Sequence, residues 1–410
     1  MKSEKWIEYI KFCLKLIGYL TYHMSKALPR NKNKWCFDDL QGLGNSRFLY
    51  IDVLENHSEL KPVCITKDKS YRDLRRQGFT AYHWLSLAGI YHCMTAGVYI
   101  VTINMRQINP YLSGGACYVN LWHGNGLKAC IWNSEKNAVA AFGKSLDQIA
   151  RSSYCTISLF YTYFLKPDVA LSSSSFLTKN LFSPQFRIPE NRFIETNFPR
   201  NAIFFWSRER QLDFIRKYES GMMLELIQHI SGFKKTYIYM PTWRESKSDI
   251  ITRSGMDFSR LNEALRSNNE LFILKLHPLE RLDLEEVSGY SNLKIMERRD
   301  DVYAILPFTD VLITDYSSIY YDYLQMNKEI IIFCFDLEKY TAEIRELMFD
   351  YVEYMPGVRV ERFDELLSLI RQHTDCHVKD RDRIMKLFWE SYDNGLDLVQ
   401  AIKERQHKTA

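Results

Sequence analysis

The sequence predicts an α/β protein built from two Rossmann-like domains, each a parallel sheet covered by helices. Three observations carry that prediction. Short apolar runs alternate with helical stretches from Trp35 onward. A second series of the same kind begins near Arg200. The chain has 410 residues, too many for one small core, and two domains are the natural division. The hydrophobic content of 46% and aromatic content of 14% are enough for two packed cores. A charged fraction of 25% is ordinary for a folded chain and argues against long disordered tracts.

The net charge of +4 suits an anionic substrate or an anionic membrane surface. It falls far short of a nucleic-acid binder, and no RNA-binding signature accompanies it, so no nucleic-acid partner is expected. Nine cysteines are scattered singly, without a C-x-x-C pair, which points to a reducing compartment and away from a disulfide framework or a zinc site.

Residues 1–30 form the first segment. Trp6, Ile7, Ile10, Phe12, Leu14, Leu16, Ile17 and Leu20 give an apolar helix interrupted by Lys5, Lys11 and Lys15. No uncharged run approaches the ~18 residues of a membrane span, and no small-residue cleavage site follows. A basic amphipathic helix lying on a bilayer is the functional expectation. Packing against the neighbouring domain is the competing one.

The second segment, 31–199, is read as the first Rossmann-like domain. Trp35 to Phe37, Pro62 to Thr66, Val98 to Ile103, Cys117 to Leu121 and Asp168 to Leu171 are its strands, with helices at Ser46 to Asn56 and Leu85 to Thr95. The Ser172 to Ser175 run follows a strand and precedes a helix, so N-capping accounts for it. The third segment, 200–410, is read as the second domain, after a hinge between Asn191 and Arg210. Its strands are Thr236 to Met240, Leu271 to Leu276, Asp310 to Ile313 and Ile330 to Phe335. Leu261 to Ser267 and Ser318 to Met326 are helical, and the tail from Phe363 to Glu404 is helical with basic faces.

Chemistry collects where strands end. After Cys117 to Leu121 come Trp122-His123-Gly124-Asn125-Gly126-Leu127-Lys128, a Gly-rich turn beside a histidine and a lysine. Such turns build sites for phosphorylated ligands, although a tight turn with a hydrogen-bonded histidine explains this one equally well. In the second half, one strand runs into Pro241-Thr242-Trp243-Arg244, the next, ending at Leu276, into His277-Pro278, and a third into Thr314-Asp315-Tyr316-Ser317-Ser318. Ligands of open parallel sheets bind outside the carboxyl ends of the strands. Ser317 and Ser318 start a helix, where N–H groups favour a phosphate, and Asp322 follows at the i+4 spacing that shares a face with Ser318. A carboxylate there is expected to accept from a ribose diol; a solvated charge is the alternative. Arg244 offers a planar fork for phosphate oxygens, with a surface salt bridge as its alternative. Arg200, in Pro199-Arg200-Asn201, stands at the domain junction, where a capping or hinge role competes with ligand contact.

Taken together, W-H-G-x-x-x-K, P-R-N, P-T-W-R, L-H-P and T-D-Y-S-S-x-x-x-D resemble the CDP-glycerol glycerophosphotransferases, the TagF/TagB-like enzymes of teichoic acid and capsule synthesis. Asn45-Ser46-Arg47 resembles an early motif of that family. Asp336-Leu337-Glu338-Lys339-Tyr340 and Pro356-Gly357 resemble its C-terminal pattern, so the likeness covers nearly the whole chain. The resemblance implies a GT-B-like architecture, with the two Rossmann-like domains facing each other across a cleft. It implies transfer of polyol phosphate from CDP-glycerol or CDP-ribitol to a hydroxyl of a lipid-linked glycan or polyol-phosphate acceptor, with release of CMP. It also implies a peripheral protein at the cytoplasmic face of the cell membrane, with no tightly bound cofactor.

Carried over by position, the resemblance makes His123 the general base on the acceptor hydroxyl. It makes His277 the group that stabilises the pyrophosphate being cleaved. Gly124, Asn125, Gly126, Leu127, Lys128, Arg200, Pro241, Thr242, Arg244, Lys275, Leu276, Thr314, Asp315, Ser317, Ser318 and Asp322 become the substrate-binding set. No carboxylate cluster marks a metal site, and none is expected. The chain departs from the family pattern at Asn125-Gly126, where a Thr-Pro-like pair is usual, at Asn197 in place of a Gly, and at Ala202 in place of an Asp. Two other functions fit the same architecture. One is a GT-B glycosyltransferase using a nucleotide sugar; the other is a non-catalytic nucleotide-binding protein at the membrane. The sequence carries no signal for oligomeric state.

Overall fold

The computed structural model describes residues 2–41, 44–126, 145, 148, 165–243, 250–277, 287, 289–297, 300–337, 347–372 and 375–409. They fold as two compact units. The first comprises Met1–His123, Ala129–Arg200 and Glu390–Ala410, the second Gly124–Lys128 and Asn201–Trp389.

The first unit holds a seven-stranded parallel sheet. Its strands are β1 (Asn31–Phe37), β2 (Lys61–Thr66), β3 (Ala81–His83), β4 (Ala96–Val101), β5 (Cys117–Asn120), β6 (Val169–Ser172) and β7 (Phe193–Glu195), in the order β3-β2-β1-β4-β5-β6-β7. The second unit holds six parallel strands: β8 (Lys235–Met240), β9 (Glu270–Leu274), β10 (Leu293–Ile295), β11 (Val311–Thr314), β12 (Glu329–Phe333) and β13 (Val358–Val360), in the order β10-β9-β8-β11-β12-β13. Each order reverses at one internal pair, β1 with β4 and β8 with β11. That is the switch point at which doubly wound sheets bind ligands.

Strands covered on both faces read as unbroken apolar runs, and β4, β9 and β11 are buried at every position. The core of the second unit packs Tyr237, Tyr239, Phe272, Leu274 and Ile313 against Leu261, Leu265, Leu366 and Ile370 of two covering helices. Burying each leucine contributes about 1.5–3 kcal/mol relative to exposure. In the first unit Cys36, Val63, Ile65, Tyr99, Val101 and Tyr118 form a corresponding core.

The two sheets share a pinning device at the entry to a strand. Asp168, just before β6, donates its N–H to the Tyr118 carbonyl and accepts the Tyr118 N–H on Oδ2, both at 2.8 Å. Asp310, just before β11, does the same with Thr236 at 2.9 and 2.8 Å. At the far end of β4 the strand stops at Val101, short of the Ile103 expected from sequence. The next N–H, that of Thr102, leaves the ladder to donate to Asp38 Oδ2 at 2.8 Å.

The tail departs from the expected division, which ran the second domain to residue 410. Glu390–Ala410 belongs to the first unit, where it covers the carbonyls of the edge strand. Asn394 Nδ2 donates to the Glu195 carbonyl at 2.8 Å, Arg405 donates to Asn191 and Phe193 carbonyls, and the Ser391 N–H reaches the Ser173 carbonyl at 3.1 Å. An uncovered edge is a template for unwanted pairing, which gives the tail its place.

The N-terminal helix spans Lys2–Ser25 and docks by its last turns. Ser25 Oγ accepts the Gly114 N–H at 2.9 Å, and Arg30 donates to the carbonyls of Cys93 and Leu112 at 2.8 and 2.7 Å. A Cβ on Gly114 would stand 2.2 Å from the Tyr22 carbonyl oxygen, so only glycine fits under the helix. Trp6, Ile10, Leu14, Ile17, Leu20 and Met24 remain exposed, at spacings of three and four that place them on one stripe. Among the described residues no helix is long and apolar enough to cross a membrane.

Candidate active site

In the first unit the chain leaves β5 through Leu121, whose N–H still reaches the Val101 carbonyl at 2.7 Å. Trp122 then adopts φ +57°, the left-handed region that a bulky side chain rarely enters. Such a conformation costs of order 1–3 kcal/mol and persists only where neighbours hold it. Asn120 Oδ1 accepts the Trp122 N–H at 2.9 Å, Asn45 Nδ2 donates to the Trp122 carbonyl at 2.8 Å, and Phe186 meets the indole edge-on at 5.0 Å. His123 follows, half-buried, its ring 4.1 Å from the indole. Gly124 has φ +126°, which a side chain would oppose. The Trp122 and Gly124 backbones thus hold unusual conformations on either side of His123.

Arg200 lies in the same unit and is buried. Its N–H donates to Asn45 Oδ1 at 3.3 Å, and its stem lies over Gly44, where an added Cβ would come within 2.9 Å of Arg200 Cδ.

In the second unit the strand ends are tied to one another by their own hydrogen bonds. Thr314 Oγ1 donates to the Met240 carbonyl at 2.7 Å, joining the ends of β11 and β8. Asp315 is fully buried, and its Oδ1 accepts the N–H groups of Thr242 at 2.9 Å and Tyr316 at 2.5 Å. These two residues were expected to contact substrate; their burial makes them supports that shape the Pro241-Thr242 and Ser317-Ser318 turns. Pro241, Thr242, Ser317 and Ser318 are themselves half-buried, within reach of a ligand.

Two further residues of the expected set are buried or paired within the protein. Asp322 was expected to accept from a ribose. It is fully buried, with Oδ1 accepting from Asn201 Nδ2 at 3.1 Å and Oδ2 accepting from Tyr303 Oη at 2.5 Å. The helix Ile319–Leu324 buries all of its residues, so the face shared by Ser318 and Asp322 turns inward at Asp322. Lys275 sends its ammonium to the Asp300 carbonyl at 2.9 Å and to that of Glu297, holding the loop beyond β10. Burial lowers its pKa while Asp300 and Asp301 counter the effect. Leu276 is buried.

His277 is exposed, with its ring 5.4 Å from that of Trp243. Partial burial holds its pKa below the ordinary histidine value. Gly126, grouped with this unit, faces Ser318: a Cβ there would make an ordinary contact at 3.6 Å with Ser318 Cβ. Asn125 beside it is fully buried. Leu127, Lys128, Arg244, Pro278 and Glu338 to Tyr340 lie outside the described residues.

Sequence reasoning did not assign Asn45, Asn201 or Tyr303 to the site, although the first two stood in quoted motifs. Their partners lie far away in sequence, and no local pattern announces them. For Asp322 a signal was available: the aromatic and aliphatic neighbours in I-Y-Y-D-Y-L leave the helix no polar face.

A model of the CDP-Glycerol:Poly(glycerophosphate) glycerophosphotransferase family matches residues 20–396. The chain belongs to this family. Among glycerophosphotransferases, the teichoic acid glycerol-phosphate transferase of Staphylococcus aureus (strain NCTC 8325 / PS 47) is 26% identical over 366 residues, 86% of this chain and 87% of that protein. The teichoic acid poly(glycerol phosphate) polymerase of Bacillus subtilis (strain 168) is 24% identical over 363 residues, 86% of this chain and 45% of the polymerase, so this chain spans less than half of that relative. The solved structure of the wall teichoic acid polymerase TagF matches with a TM-score of 0.71 at 19% identity, covering 99% of this chain and 97% of that one. A variant of that polymerase soaked with CDPG matches with a TM-score of 0.68. The fold is thus the TagF-like, GT-B-like α/β architecture of two parallel sheets with helices.

Proposed function

We propose that this chain transfers a polyol phosphate, glycerol phosphate first among the candidates, from a CDP-polyol to a hydroxyl of a lipid-linked acceptor, releasing CMP in teichoic acid or capsular polysaccharide synthesis. The observation that carries the reading is the family match across residues 20–396, within which His123, Arg200, Thr242, His277 and Ser317-Ser318 all follow the carboxyl ends of strands.

In this reaction a bond forms between the acceptor oxygen and the phosphorus of the polyol phosphate. The bond from that phosphorus to the CMP oxygen breaks, and the acceptor proton goes to a base. A hydroxyl is inert at neutral pH, and a histidine with pKa near ~6.5 can take its proton as the bond forms, typically for ~10²–10⁴-fold in rate. His123 serves as that base. His277 acts as an N–H donor to the pyrophosphate. Arg200, Thr242, Ser317, Ser318 and Arg244 hold the donor phosphates, with arginine supplying charge that does not depend on pH. Asp315, Asp322 and Lys275 support these groups. The apolar stripe of the Lys2–Ser25 helix supports a peripheral position at the cytoplasmic face of the membrane.

The test is a donor screen. Purified protein with a lipid-linked acceptor is given CDP-glycerol, CDP-ribitol or a UDP-sugar, and the released nucleotide and the phosphorus content of the product are measured. CMP from a CDP-polyol, abolished by His123→Ala, is the expected result. No CMP from either CDP-polyol overturns the reading, and UDP with a phosphorus-free product decides for sugar transfer.

A further inference from the structure

We infer that Asn45 is a positioning residue for the transfer: its single side-chain amide fixes both the peptide that carries His123 and the backbone of Arg200. The inference rests on the proposed roles of those two residues and deepens them.

Asn45 is fully buried at the first residue of the helix Asn45–Asn56. Asparagine near a helix start ordinarily satisfies a local backbone N–H. Here the cap position is Gly44, at φ +66°, with no side-chain cap bond. The Asn45 amide goes instead to two distant segments. Nδ2 donates to the Trp122 carbonyl at 2.8 Å, 77 positions away, and Oδ1 accepts the Arg200 N–H at 3.3 Å, 155 positions away. The orientation of the amide follows from its partners, because a carbonyl needs a donor and an N–H needs an acceptor. A carboxylate cannot serve the first partner, and a hydroxyl lacks the reach to serve both.

What the amide holds on one side is strained. Trp122 at φ +57° relaxes if its carbonyl is released, and the His123 side chain swings with the peptide. A base must stand within hydrogen-bond reach of its proton, and a misplacement of ~1 Å costs about 100-fold in rate. On the other side, the Arg200 N–H and the Gly44 seat beneath its stem fix where that residue leaves the first unit.

Asn45→Asp separates the two roles. It keeps the acceptor for the Arg200 N–H and sets a carboxylate oxygen against the Trp122 carbonyl. With CDP-glycerol, N45D should lose about 100-fold in kcat with KM for the donor within about twofold. Asn45→Ala, which loses both bonds, should raise KM as well. In the double variant with His123→Ala the losses should fail to multiply, because Asn45 acts through the histidine. Independently of turnover, the ring-proton NMR signal of His123, identified by its absence in H123A, should shift in N45D while that of His277 stays. A folded N45D with kcat within about threefold of the parent, multiplicative losses in the double variant, or an unmoved His123 signal overturns the inference. If the parent protein makes no CMP from any CDP-polyol, the functional reading fails, and the NMR signal alone still decides the role of Asn45.

Discussion

At the residue scale the second unit turns on a carboxylate enclosed by aromatic neighbours. Asp322 accepts from one amide and one phenol, and a buried carboxylate that loses a hydrogen-bond donor is destabilised. Tyr303→Phe removes one donor and leaves the shape unchanged. It should lower stability by about 1.5–3 kcal/mol in urea unfolding, the range for a hydrogen bond to a charged group. A loss below about 0.5 kcal/mol, the scale of a surface change, would mean that Asp322 is held without the phenol. The same residue marks the boundary of what sequence could tell. The i, i+4 spacing of Ser318 and Asp322 was legible, as was the histidine of W-H-G. That Asp322 faces Tyr303 and Asn201 depends on pairings made across 19 and 121 positions, which no local window contains.

At the element scale the strands longer than three residues were legible because each holds a buried apolar run; in β1 only Trp35 to Phe37 stood out, because Asn31 to Lys34 ahead of it are polar. The strands β3, β7, β10 and β13 are three residues each, too short to carry a period, and they form because a neighbouring edge offers them a ladder. The Gly-rich turn after β5 was legible as a turn; its contact with Ser318 was not, because glycine has no side chain to suggest a partner. That contact makes a graded prediction. At position 126 an added Cβ meets Ser318 at an ordinary distance, so Gly126→Ala should keep the donor KM near that of the parent. Gly126→Val overfills the gap, and the donor KM should rise about fivefold or more, the equivalent of the ~1 kcal/mol lower bound for overpacking. Equal KM values for Ala and Val, measured by CMP release, would remove Gly126 from the donor side.

At the scale of the whole molecule, composition and alternation announced two Rossmann-like sheets, and both are present with the doubly wound strand order. The destination of the tail was hidden, because its basic helical pattern suits either unit and only the carbonyls of Ser173, Asn191 and β7 select one. The N-terminal helix makes the prediction that belongs here. Replacing Trp6, Ile10 and Ile17 by glutamate removes three exposed apolar groups, each worth about 1.5–3 kcal/mol when buried. Flotation with vesicles containing anionic lipid should then lose at least about tenfold in binding, and unchanged flotation would refute the interfacial reading.

The division of the chain has a consequence for how members of such a family can exchange parts. The polypeptide leaves the first unit after His123, has returned before β6, leaves again after Arg200 and returns at Glu390. A single crossover between two related genes therefore never exchanges one unit alone. A crossover at the Arg200–Asn201 junction would carry the tail of one parent onto the edge strand of the other, and would leave residues 124–126 of one parent facing the Ser318 position of the other. A chimera that changes donor preference should need two inserts, a short one after His123 and a long one ending at Trp389.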